Sequence, residues 1–203
     1  MILYGAPNPA PNPRRVRIFL AEKGVDLPET PLDIMKREHK SDEHRARNSL
    51  GQVPTLVLDD GTAISETVAI CRYLDETNDG PPLFGATPLE RANIDMWIRR
   101  IEFQVMSPVG MYWRHAHPFT ARLLTQHKDF GESNREGYHN ALKWLDGELA
   151  DKPFVAGEGY TMADICALST VDFADWIGLP IPDDVPNVKA WHARVTARPS
   201  ANA

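Results

Sequence analysis

The apolar positions of this chain change period several times before residue 88 and then keep the period of a helix. Residues 1–5, MILYG, form a short apolar run that reads as a strand. The following APNPAPNP places proline at 7, 9, 11 and 13. Proline has no N–H and a fixed φ, so this stretch is a stiff loop outside any sheet. Pro13 suits the first turn of a helix over RRVRIFLAEKG, in which Val16, Phe19 and Leu20 share a face and which Gly24 ends. Residues 29–34, ETPLDI, read as a second strand, and the polar KREHKSDEHRARN leaves room for one short helix. VPTLVLDDGTAIS carries the clearest β signal: TLVL and TAI flank Asp60-Gly61, a strong hairpin-turn pair. Ser65 is expected to cap a helix from Glu66 to about Thr77, with Ile70, Tyr73 and Leu74 on its apolar face.

NDGPPLFGATP is rich in glycine and proline and reads as a linker. Beyond it, residues 88–116, 120–150 and 161–178 have helical periodicity, and a last helix over about 186–198 ends at Arg198-Pro199. Thr161-x-x-Asp164 is a capping box with an acidic third residue, assigned to folding rather than to chemistry. The expected organisation is a βαβ–ββα domain over 1–78, a linker over 79–87 and an all-helical domain over 88–203, with no internal repeat.

Composition narrows the class. The chain has 203 residues, 42% of them hydrophobic, which suffices for a real core. Net charge is −6, and no Lys/Arg-rich block appears, which argues against nucleic acid as a partner. The N-terminus lacks a basic region followed by an apolar one, and no run of about 18 apolar residues occurs, so no membrane association and a cytoplasmic location are expected. Cys71 and Cys166 sit in apolar helical patterns and read as buried, reduced thiols. No metal is expected: His115 and His117 stand two apart, and positions i and i+2 of a helix point to different sides.

The succession LYGAPNPAPNPRRVRIFLAEKG, REHK at 37–40, NSLGQVPTLVLDDG at 48–61, SETVAICRYL at 65–74 and TMADI at 161–165 resembles the glutathione transferases over nearly the whole chain. RHAHP, WLDGELADKPFVAG and AWHARVTARPS resemble most a fungal and bacterial branch, the Gtt-like transferases. The resemblance implies a thioredoxin-like N-terminal domain that holds glutathione as co-substrate and a helical domain forming the second-substrate side. It also implies a homodimer, with one N-terminal domain packed on the partner's helices. The implied activity is conjugation of glutathione to an electrophilic, fairly apolar small molecule, a detoxification chemistry.

Glutathione has two carboxylates, one ammonium and one thiol. In the family the proline of the VP pair is cis, an isomer that only proline tolerates cheaply. The Val53 N–H and C=O, before Pro54, then pair with the cysteinyl unit as an added strand would. Glu66 and Thr67 begin the third helix, where unpaired N–H groups and the helix dipole suit the γ-glutamyl carboxylate. The Thr67 hydroxyl adds a donor there, and the Glu66 carboxylate takes the ammonium. His39, Lys40 and Gln52 are the resemblance's candidates for the glycine carboxylate.

A thiol with pKa of about 8.5 needs roughly 2.7 kcal/mol of selective thiolate stabilisation to fall by two units. Most of the family supplies this from a Tyr, Ser or Cys after the first strand. Residues 6–13 here hold none, and Ala10 or Pro9 occupies the usual place, depending on register. Three substitutes stay open. One is the dipole of the first helix, approached past a small Ala10. Another is the side chain of Asn12 or Asn8. The third is a histidine, His115 or His117, acting through water near the end of the long helix that borders the site in this fold. Tyr112 and His117 are candidates for the second-substrate pocket. Two other readings remain: glutathione-dependent peroxide or disulfide reduction, and a binding protein that keeps the fold without fast catalysis.

Overall fold

The apolar run at the N-terminus becomes strand β1 (Ile2–Gly5), with Leu3 and Gly5 turned inward. In the computed structural model, which describes residues 1–203, β1 is one of two central strands. It pairs in parallel with β2 (Glu29–Pro31) and antiparallel with β3 (Thr55–Val57), and β3 pairs antiparallel with β4 (Ala63–Ser65). The sheet order is β2-β1-β3-β4. The Asp60-Gly61 turn joins β3 to β4: Gly61 takes φ +87°, and the Leu58 N–H donates to the Thr62 carbonyl at 2.8 Å.

Helix α1 (Pro11–Lys23) begins two residues before the expected first-turn proline. Proline is tolerated there because first-turn N–H groups have no intrahelical acceptor anyway. Gly24 ends the helix in the left-handed region at φ +66°. Helix α3 (Thr67–Thr77) packs against α1. Val16, Phe19, Ile70, Cys71 and Leu74 are fully buried, as are Leu3 and Leu56 of the sheet. Large apolar side chains contribute about 1.5–3 kcal/mol each on burial, which is how strands of three or four residues keep their register.

Several expected boundaries move. The second strand stops at Pro31 because Asp33 starts a turn, its Oδ1 accepting from the N–H groups of Met35 and Lys36. The polar stretch holds a 3₁₀ turn at Glu38–Lys40 and a helix, α2 (Asp42–Arg47), capped by Ser41. Ser65 does not cap α3. It stays paired in β4, and the residue flanking the helix is Glu66, at φ +69° with no side-chain cap.

The chain divides into two compact units, Met1–Leu83 with Pro199–Ala203, and Phe84–Arg198. The tail 199–203, expected with the helices, belongs to the first unit. Arg14 Nη2 donates to the Ala201 carbonyl at 2.8 Å, and Ser200 Oγ hydrogen-bonds Glu22.

The second unit is all helical: α4 (Pro88–Arg100), α5 (Ser107–His115), α6 (Lys128–Glu148), α7 (Met162–Trp176) and α8 (Pro186–Thr196). The expected helix over 88–116 is interrupted by a π-helical segment, Ile101–Met106. Pro108 is the physical reason: it cannot donate to the carbonyl four residues back, and its ring crowds the preceding turn. The expected 120–150 helix starts only at Lys128, after a 3₁₀ segment at Pro118–Arg122. The Thr120 hydroxyl ties that segment to the Trp113 carbonyl at 2.6 Å. The last helix ends at Thr196, two residues before the expected Arg198.

Helix α7 is buried along Met162–Val171, as befits a central helix apolar all round. Its start is closed. Asp164, fully buried, accepts from the N–H groups of Val155 and Thr161 and from Trp191 Nε1, each at 2.9 Å. Burial nonetheless raises its pKa above the usual carboxylate value against those donors. Gly131 lets α6 meet the end of α5 at backbone contact, since a Cβ there would lie 2.6 Å from the Ala116 nitrogen. No helix is long and apolar enough to cross a membrane.

Candidate functional site

The strand register brings three connections to one end of the sheet. Tyr4 faces Thr55, and Thr55 faces Ser65. The exit of β1, the entry of β3 and the exit of β4 are therefore neighbours. From them issue the Ala6–Ala10 loop leading into α1, the Val53-Pro54 pair, and Glu66-Thr67 at the start of α3.

The segment before β3 is braced from beneath. The Gln52 carbonyl accepts from His44 Nε2 at 2.8 Å, Asn48 Nδ2 at 3.0 Å and Thr55 Oγ1 at 3.3 Å. The next peptide bond, Val53–Pro54, is cis. The Val53 N–H and C=O have no hydrogen-bond partner in the protein. An extended peptide alongside Val53 would find one donor and one acceptor facing it.

Across the sheet end, α3 starts open. The first-turn N–H groups are unpartnered, with the partial positive charge of a helix N-terminus. Glu66 is exposed. A non-glycine residue at φ +69° costs about 1–3 kcal/mol, a strain found mostly where function requires it. Thr67 is buried beside it. This corner can take an anion at the helix start and an ammonium at the Glu66 carboxylate.

The 39–40 segment lies against residues 50–52. Gly51 has φ +55°, and a Cβ there would lie 2.8 Å from the His39 carbonyl oxygen. Lys40 Nζ donates to the Leu50 carbonyl at 2.9 Å, leaving two of its protons unused. Burial, reinforced by Arg45 and Arg37, pulls the Lys40 pKa below its ordinary value. His39 is half-buried; burial and the charges of Lys40, His44 and Arg37 hold its pKa below 6.5. Its Nδ1 is buried without a partner. Gln52 is exposed next to them.

The loop after β1 is pinned by Arg17, which donates to the Ala6 carbonyl at 3.1 Å and Asn8 Oδ1 at 2.6 Å and pairs with Glu29 at 3.1 Å. Ala10 immediately precedes α1 and has no side chain with which to cap it. Pro11 and Pro13 have no N–H, and the N–H groups of Ala10 and Arg14 go to the Pro7 and Ala10 carbonyls. Asn12 is thus the one residue of this helix start with a free backbone donor, and its side chain is exposed and unpartnered.

The remaining expected residues lie in the helical unit. His115 Nδ1 accepts from the His127 N–H at 3.4 Å, and its ring packs on Phe130. His117 Nδ1 accepts from the Phe119 N–H at 3.3 Å, its ring lies 4.6 Å from that of Trp113, and burial lowers its pKa. Tyr112 is buried, its hydroxyl accepting from Arg135 at 2.7 Å. No three His, Cys, Asp or Glu side chains are grouped to hold a metal ion. The residues that sequence reasoning missed are His44, Asn48 and Thr55. Their only signal was a set of polar residues on both sides of Gly51.

Comparison with known proteins supplies a frame for this geometry. Residues 10–77 match the family model for the glutathione S-transferase N-terminal domain, and residues 107–199 match that for the C-terminal domain. The chain is 38% identical over 204 residues to glutathione S-transferase 2 of Saccharomyces cerevisiae, covering 98% of this chain and 87% of the relative. Among solved structures, Gtt2 from Saccharomyces cerevisiae superposes with a TM-score of 0.94 at 38% identity, covering 100% of this chain and 99% of the other. A glutathione S-transferase domain-containing protein of Marinobacter aquaeolei superposes at 0.92 with 41% identity, covering 98% and 99%.

Proposed function

Because the chain belongs to the glutathione S-transferase family, we propose that it joins the thiolate of glutathione to an electrophilic, fairly apolar small molecule, with glutathione held at the open end of the first unit's sheet. The observation that carries this reading is the unpartnered Val53 backbone set beside the uncapped start of α3. In it the cysteinyl unit pairs with Val53 N–H and C=O, and Pro54 holds that turn. The γ-glutamyl carboxylate sits on the N–H groups at Thr67, and its ammonium on Glu66. The glycine carboxylate meets His39, Lys40 and Gln52.

The same placement puts the sulfur near the start of α1. Ala10 lets it approach, and the Asn12 N–H and side-chain amide are the donors on offer. Hydrogen bonds to a thiolate favour the charged form. His115 is the second candidate for this role, with Nε2 as its available nitrogen. The test is the thiolate absorbance of bound glutathione followed against pH. The bound thiol should titrate below about 8.5, and Asn12→Leu should move it back up. A shift abolished by His115→Ala and kept by Asn12→Leu assigns the role to the histidine. Binding with an unlowered thiol would favour a non-catalytic glutathione-binding protein. Reduction through a protein thiol gains no support, since Cys71 and Cys166 are both buried.

The protein acts in this reading as a homodimer. Leu89, Met96 and Phe103 recur every seven residues and are 80%, 40% and 65% exposed, and Leu50 of the first unit is 60% exposed. Large apolar side chains left exposed at this spacing support a contact surface there. A monomer by light scattering at micromolar concentration would remove this part of the proposal.

A further inference from the structure

Beneath the glutathione site lies a buried histidine whose side chain has one hydrogen bond and no other polar partner. His44 is 1% exposed; its Nε2 lies 2.8 Å from the Gln52 carbonyl oxygen, and its Nδ1 is buried with nothing to pair with. A carbonyl only accepts, so Nε2 carries the proton. An apolar ring of similar size would fill the same space without a stranded nitrogen. What histidine adds here is a donor to one oxygen.

That oxygen belongs to the peptide unit whose other end is the Val53 N–H. The Gln52–Val53 bond is trans, so its C=O and N–H point in opposite directions. Three side chains, His44, Asn48 and Thr55, hold the oxygen on the protein side. Asn48 and Thr55 are themselves buried and linked at 3.2 Å. The N–H is thereby aimed away from the brace, at the place where the proposed ligand pairs. Donors on a carbonyl also polarise the peptide and strengthen the N–H at its far end.

We infer that His44 is a positioning residue for glutathione, aiming and polarising the Val53 N–H through the Gln52 carbonyl; this rests on the reading of the site given above. His44 touches no part of the ligand. Its contribution is made before binding, by keeping a single peptide plane from rotating. Asn48 and Thr55 share the task, and His44 supplies the shortest of the three contacts.

Calorimetry with reduced glutathione on the full chain tests this, using His44→Phe, which keeps a ring without a donor, and His44→Gln, which restores an N–H. His44→Phe should weaken glutathione about three- to tenfold, the scale of one net hydrogen bond, and His44→Gln should recover most of the loss. The KM for glutathione should rise with kcat little changed. In His44→Phe the Val53 amide resonance of the ligand-free protein should shift, because the carbonyl joined to it has lost a donor, while amides of α7 stay in place. Should the ring substitution fail to fold, Thr55→Val removes another donor from the same oxygen and should give the same signs at smaller size. Wild-type affinity and an unmoved Val53 amide in the folded variants overturn the role of His44. If wild-type protein does not bind glutathione, or Glu66→Ala binds it as well as wild type, the site reading itself has failed instead.

Discussion

Helices α3 and α7 begin in ways that look alike in sequence and differ in the structure. SETV and TMAD both set a hydroxyl residue ahead of an acid at a helix start. At α7 the start is sealed: Thr161 and Asp164 make a reciprocal box, and Asp164 also takes the Val155 N–H and the Trp191 indole. At α3 the Ser65 backbone is held in a strand and its side chain does not cap the helix, Glu66 sits at positive φ, and no side chain closes the turn. A helix start satisfied by its own protein contributes stability. One left open, at a cost in backbone strain, is available to a ligand.

The sharpest way to break this contrast is at the sealed end. Asp164→Ala leaves three buried N–H donors and the Thr161 hydroxyl without their acceptor and should cost at least about 3 kcal/mol in urea denaturation, at about 1–3 kcal/mol for each N–H group. A cost below 1 kcal/mol would mean that the box is ornamental. At the open end the loss should appear in binding. Glu66→Ala should weaken glutathione about ten- to a hundredfold, the value of a hydrogen bond to a charged group, with little change in stability. Glu66→Gly should bind as poorly yet lose no stability, because glycine adopts positive φ without strain. A large stability loss in both variants would turn α3 into a second structural cap. The two hydroxyls give a smaller version of the comparison. Thr161→Ala should cost about 1 kcal/mol, and Ser65→Ala should fall within about 0.5 kcal/mol of wild type.

The smallest effect concerns protons. Burial first, then neighbouring cations, depress the His39 pKa below 6.5 in the folded chain. The unfolded chain then binds that proton more readily, so this group's contribution to stability is whole above 6.5 and falls as the pH drops from there toward the folded value. A carboxylate docked beside His39 works against the depression. Glutathione binding should therefore take up a fraction of a proton in the same window and tighten as the pH falls. Calorimetry in buffers of different ionisation enthalpy measures the uptake; His39→Gln should abolish it. No uptake in wild type would remove His39 from the site.

What could be read in the chain follows the range of the forces involved. The hairpin was legible because alternation and Asp60-Gly61 act locally, and so was the Thr161–Asp164 box, whose partners lie three residues apart. The left-handed Glu66 was not, since its conformation depends on β4 pairing with β3 on one side and α3 packing on α1 on the other. The three-donor hold on Gln52 was hidden for a similar reason: each donor is an ordinary polar residue until the fold stacks α2 under the β3 entry. The break at residues 101–106 had a visible cause in Pro108, but a helical period survives a π-helical turn well enough to conceal it.

The return of Pro199–Ala203 to the first unit sets an order in time. In a chain made from its N-terminus at about 5–20 residues per second, the partners of Arg14 and Glu22 leave the ribosome on the order of ten seconds after Leu83. The helical unit is complete by then, while the domain that was begun first still lacks its final piece. Of the two units the one whose synthesis starts earlier is thus finished later, and a message interrupted just after residue 198 yields a whole second unit beside a first one left unlatched.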